Sequence, residues 1–162
     1  MPVIRNGEIV ADDWVRLEDE APLPDAGDVI LPLARLEPEA DSIARRSGRT
    51  GVALPNSADP EDIAALLPLL DLVAVQFPVF TDGRAYSQAR VLRRRFGYEG
   101  EIRATGNVLA DQAAFMLRVG IDSFETDGRQ PLETWRQALH AVTLAYQRGY
   151  RDRPDLAIRG TP

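Results

Sequence analysis

The sequence predicts an α/β protein of about four consecutive βα units, a half TIM-barrel-like parallel sheet preceded by an N-terminal hairpin and one extra strand. Three observations predict it. From residue 51 onward, short apolar runs alternate with amphipathic stretches over short connections, the pattern of a parallel sheet with right-handed crossovers. Asn6-Gly7 sits inside the alternating run 3–10, the dipeptide that best suits a two-residue hairpin turn. The 162 residues suffice for one hydrophobic core and are too few for two ordinary domains. Four βα units also fit an open doubly wound sheet; the half-barrel is favoured because the N-terminal strands can cover an open edge.

The elements follow in order. Residues 13–17 are predicted to continue the hairpin, and 18–27, rich in Pro and acids, to run over the surface as a linker. Residues 28–33 form a short apolar strand, and 37–49 a polar helix interrupted near Gly48. Residues 51–54 are the first strand of the regular region, with Asp59-Pro60 opening a helix that reaches residue 70. Residues 72–77 are the next strand and 85–96 its helix, whose Ala85, Ala89, Leu92 and Phe96 share one face; Arg90, Arg93 and Arg94 point elsewhere. The third pair is a strand at 101–105 and a helix at 109–118. The fourth is a strand at 121–124 and a helix at 131–147, with Leu132, Trp135, Leu139, Val142 and Tyr146 as its apolar stripe and Gly149 ending it. The chain reads as a single domain over 1–162, with the hairpin, linker and strand in 1–50, the βα region in 51–149 and a tail in 150–162.

Composition narrows the function classes. The chain has no cysteine, which removes disulfides, thiolate metal sites and a cysteine nucleophile together. One histidine leaves no His-His metal motif, so no metal and no cofactor is expected, and the purified protein should be colourless. All 19 basic residues are arginine, against 25 acids, for a net charge of −6; this balance argues against binding along a nucleic-acid backbone. No apolar run approaches the roughly 20 residues of a spanning helix, and residues 1–14 do not read as a signal peptide. A cytoplasmic location without membrane or nucleic-acid contact is the expectation.

Ligands of parallel sheets bind at the carboxyl ends of the strands, so the residues just after each strand are the candidates. Thr81, Asp82, Gly83 and Arg84 surround a helix start, where backbone N–H groups and a guanidinium suit an anion; an ordinary capped loop is the alternative. Thr105, Gly106 and Asn107 stand at the end of the adjacent strand and complete the candidate anion site. Arg103 alternates with Ile102 and Ala104 inside a strand covered on both faces. A buried guanidinium requires a partner, for which Asp82, Asp122 or Glu125 are available, in either an internal ion pair or an anion site. His140 falls on the polar face of the last helix, and Arg93-Arg94-Arg95 reads as solvated surface. No Gly-rich phosphate fingerprint is present.

Phe77-Pro78, Phe80-Thr81-Asp82-Gly83-Arg84, Ser87, Ala89-Arg90, Leu92-Arg93, Gly97-Tyr98, Gly100-Glu101, Arg103-Ala104, Asp111-Gln112, Gly120 and Asp122-Ser123-Phe124 together resemble the bacterial family catalogued as domain of unknown function 934. Asp13-Trp14 and the strand at 28–33 fit it as well. Members of that family are often labelled oxidoreductases and tend to be encoded beside sulfite reductase and phosphoadenosine-phosphosulfate reductase. The resemblance implies an accessory role in assimilatory sulfate and sulfite reduction, as a partner or assembly factor of those enzymes, and leaves open whether the protein is itself an enzyme. A small-oxyanion-binding enzyme, or an oxidoreductase, with its site at the strand carboxyl ends is the competing expectation. A weaker similarity, to part of an enolase-type barrel, implies a metal carboxylate where Thr105 stands and a lysine base that this chain lacks. Four βα units leave a sheet edge and flank uncovered, which predicts a homodimer or other small oligomer.

Overall fold

Eight short strands carry the fold: β1 (Val3–Arg5), β2 (Glu8–Val10), β3 (Val15–Arg16), β4 (Val29–Pro32), β5 (Thr50–Leu54), β6 (Leu72–Phe77), β7 (Glu101–Gly106) and β8 (Ser123–Glu125). In the computed structural model, which describes residues 1–79 and 81–140, they form one curled half-barrel sheet in the order β2-β1-β8-β7-β6-β5-β4-β3. β3 to β8 run parallel, and β1 joins β8 and β2 antiparallel. The Asn6-Gly7 turn is as expected: both residues have positive φ, +52° and +77°, the conformation of a type I′ turn.

Residues 13–17 do not continue that hairpin. They place β3 at the opposite edge of the sheet, parallel to β4, with Val15 opposite Val29. The two edges are therefore joined by residues 11–14 alone. Five residue steps reach at most about 18 Å, whereas eight strands laid flat would be roughly 34 Å across. The short link and the flat sheet are incompatible, so the sheet must curl until its edges approach.

Helices cover the convex side: α1 (Leu33–Leu36), α2 (Ala40–Arg45), α3 (Arg84–Arg94), α4 (Ala113–Val119) and α5 (Leu132–His140), with 3₁₀ turns at Pro60–Leu69 and Ala110–Gln112. The segment 60–69 is 3₁₀ rather than α, consistent with Pro68, whose missing N–H and ring oppose an α-helix interior; Asp59 caps it by accepting from Glu61 N at 3.0 Å. Alternate strand residues Val52, Leu54, Val73, Val75, Ile102, Ala104 and Phe124 meet Ala85, Ala89, Leu92, Met116 and Trp135 in one core. β8 begins later than its apolar run suggests because Gly120 ends α4 at φ +102° and Ile121 N is taken by Met116 O at 3.1 Å, a left-handed helix stop. Of the last helix, residues 132–140 are described, with Trp135 fully buried; Phe80, Val142, Tyr146, Gly149 and the tail lie outside the described residues.

Arg93 corrects the solvated reading of the 93–95 run. Its side chain is 4% exposed and serves four acceptors: Gly120 O at 2.9 Å, Tyr98 O at 2.5 Å, Gly100 O at 2.8 Å and the Asp122 carboxylate. The arginine thus pins α3 to the entrances of both β7 and β8.

Candidate functional site

At the carboxyl ends of β6 and β7 the sequence candidates do come together, because Phe77 and Gly106 are paired in register. Gly106 has φ +91°, and a Cβ there would strike the Phe77 carbonyl oxygen, so only glycine fits. The N–H groups around it are engaged. Asn107 N donates to Phe77 O at 2.7 Å and Val108 N to Gly106 O at 3.0 Å, while Thr105 Oγ1 donates to Val75 O at 3.3 Å. Across the gap, Asp82 accepts from Arg84 N at 3.1 Å, from Arg84 Nη2 at 2.7 Å and from Asn56 Nδ2 at 2.6 Å. The Arg84 guanidinium beside it holds the Asp82 carboxyl down at about 2. Gly83 precedes α3 with no side-chain cap, and Thr81 is exposed. Arg84 is open to solvent, but its charge is matched by its own loop.

The concave face carries a second constellation. Strand residues alternate, so Glu101, Arg103 and Thr105 face away from the helices. Arg103 stands level with Ala74 on β6 and Ser123 on β8, and Ser123 level with Arg5 on β1. Arg103, 3% exposed, donates from Nε to Glu101 Oε1 at 3.0 Å and from Nη1 to Asp12 Oδ1 at 2.8 Å. These partners replace the Asp82, Asp122 and Glu125 expected from neighbouring strand ends. The reason is geometric: residue i−2 on the same strand shares the face, and the 11–14 link brings Asp12 across it. Glu101 also accepts from Ser123 Oγ at 2.5 Å and from Arg5, and Arg16 on β3 reaches Glu125 on β8. Trp14 packs beside Ile30, Leu72, Ala74 and Ala53, with the Arg49 guanidinium 4.8 Å from its ring centre.

Burial opposes ionisation of Glu101, but the Ser123 hydrogen bond and the Arg103 and Arg5 charges outweigh it, so its pKa falls below the ordinary 4.5. A carboxylate with a depressed folded pKa adds stability above its unfolded value and loses it as pH drops through the folded one. Wild type should therefore lose its stability advantage over Glu101→Gln on acidification below about 4.5. Urea unfolding of both proteins across pH 2–7 checks this; a constant difference would contradict it.

Among the described residues no group of three or more His, Asp or Glu side chains is placed to hold a metal ion, and no helix is long and apolar enough to cross a membrane. Of the interior constellation, sequence reasoning found Arg103 and, as a candidate partner for it, Glu125, which pairs with Arg16 instead. Glu101 was recoverable from the two-residue strand period; Asp12, Arg5, Arg16 and Ser123 required the strand order.

The geometry defines a class: an α/β half-barrel with helices on its convex side and a concave wall knit by its own arginine–carboxylate pairs. Within that class the chain belongs to the family described as "Bacterial protein of unknown function (DUF934)", which matches residues 51–156. No curated protein matches the chain.

Proposed function

We propose that this protein is an accessory partner of the sulfite-reducing enzymes of assimilatory sulfate reduction, acting in the cytoplasm by docking onto one of them. The setting comes from the family resemblance, and the observation that carries docking is an aromatic ladder that climbs out of the core. Phe77 is buried, Tyr86 on α3 half-buried, and Phe115 on α4 54% exposed. Successive ring centres are 5.0 Å apart in edge-to-face contact. Val79, 52% exposed, follows the same β6 end. Exposed aromatics anchored in this way are the usual centres of protein interfaces. Arg90, exposed one turn from Tyr86, borders the patch, which suits a partner segment with an apolar anchor and an acidic flank.

Purified sulfite reductase titrated with this protein is the direct trial. Phe115→Asp should weaken the complex by at least about 2 kcal/mol, the loss expected at an interface hot spot, while losing only about 0.5–1.5 kcal/mol of its own stability with the Tyr86 ring contact. Equal affinity of variant and parent, or no complex between the parent and sulfite reductase, would overturn the reading.

The same proposal includes self-association. Ile9 on β2 and Val15 on β3 are 59% and 57% exposed, and both strands are edges of the sheet, the situation that pairing with a second copy relieves. Light scattering at micromolar concentration should give at least a dimer; monomer alone would contradict it.

A further inference from the structure

The concave wall offers more hydrogen-bond donors than acceptors around one carboxylate. Glu101 takes Arg5, Arg103 and Ser123 together. The Arg5 Nε is buried and has no acceptor among the described residues. Arg103 spends Nε on Glu101 and Nη1 on Asp12, and its Nη2 takes no partner among the described residues. A guanidinium presents a planar fork that is best satisfied by two oxygens of one group. Asp12 supplies a single oxygen.

Asp12 also differs from the other acids by its position. It belongs to the 11–14 link rather than to a strand, and its side chain is 23% exposed, against 11% for Glu101. On this wall Arg5, Arg16 and Arg103 are balanced by Glu101, Glu125 and Asp12. Withdrawal of Asp12 into solvent would leave one positive charge unmatched, and a buried charge must be matched. An anion from solution would restore the balance.

We infer that Arg103 anchors a binding site for a small oxyanion on the concave wall, and that Asp12 occupies this site as a displaceable internal ligand. The Asp12 oxygen 2.8 Å from Nη1 stands where one oxygen of a trigonal or tetrahedral anion would sit. A second oxygen of the same anion completes the fork at Nη2. Ser123, level with Arg103, and Thr105, two residues further along β7, belong to the same wall. The site lies on the opposite face of the sheet from the helices that carry Tyr86 and Phe115, so it stands independently of partner docking.

Thermal unfolding of the full chain in sulfate or phosphate, against chloride at equal ionic strength, tests the inference with wild type, Asp12→Asn and Asp12→Asn/Arg103→Met. Sulfate and phosphate stabilise most proteins through exclusion from the surface, so the double variant supplies that baseline. Asp12→Asn should show a saturable rise in melting temperature above the baseline, with an apparent affinity at least about tenfold tighter than wild type because the competing carboxylate is gone. A response of Asp12→Asn equal to that of wild type, or one retained in the double variant, would leave the Asp12–Arg103 pair a structural tie. Should the double variant fail to fold, the Arg103 Nε–H resonance of Asp12→Asn decides: it shifts with added phosphate if the site is real and stays fixed if it is not.

Discussion

Replacing Arg93 with methionine is expected to lower the unfolding free energy by about 3–5 kcal/mol, the usual result of removing one partner from a buried ion pair. The guanidinium is 4% exposed, and its loss deprives the carbonyls of Tyr98, Gly100 and Gly120 and the Asp122 carboxylate of the group that now serves them. Asp122 also accepts from Ile102 N at 2.8 Å, so damage should spread into the start of β7. Methionine keeps most of the aliphatic volume and isolates the charge. Arg90→Met, on the exposed side of the same helix, should stay within about 0.5 kcal/mol. Urea midpoints for the two variants measure the contrast; similar values would mean that Arg93 contributes only surface packing.

Trp135→Ala is expected to cost about 3–5 kcal/mol through the cavity left behind. Trp135 is fully buried against Phe124, with ring centres 5.4 Å apart. It is the wedge by which α5 covers β8, and Arg136 beside it holds the hairpin through Gly7 O at 3.0 Å and Glu8 at 2.7 Å. The indole Nε1 is buried without an acceptor among the described residues, so phenylalanine, which lacks that donor, should be tolerated far better than alanine. Calorimetric melting of both variants checks the order. A Phe variant as damaged as the Ala variant would show that the indole nitrogen has a role that its surroundings do not reveal.

Local physics made the βα region legible. The runs 51–54, 72–77 and 101–105 match β5, β6 and β7 within a residue: the first two are short and nearly all apolar, as strands buried on both faces are, and the third alternates apolar with polar residues. Arg103 stood out as the charge inside such a run. Arg93 did not, since a lone arginine in a run of three carries no mark of which one turns inward; only the packing of α3 against Gly120 selects it. The interior constellation was hidden for a related reason. Three of its members, Arg5, Asp12 and Arg16, are far in sequence from the Glu101, Arg103 and Glu125 that they meet, and the parallel pairing of β3 with β4 that brings Arg16 in cannot be read from a two-residue strand. The strand-end candidates were easier to find because Gly and Asp-Gly signal turns wherever they fall.

The pairing of β1 with β8 sets Val3 opposite Glu125 and Ile4 opposite Phe124, contacts between the two ends of the described chain. Contacts of this separation are slow to form, because the whole intervening chain must be ordered before they are rewarded. During synthesis the hairpin leaves the ribosome early and finds its seat only after residues 123–125 have followed. Until then the β1 edge and the Ile4 side chain stay open, and Arg16 has no Glu125 to meet. The hairpin, made before β8, is thus among the last elements to dock, and the Arg16–Glu125 pair closes as the sheet is completed.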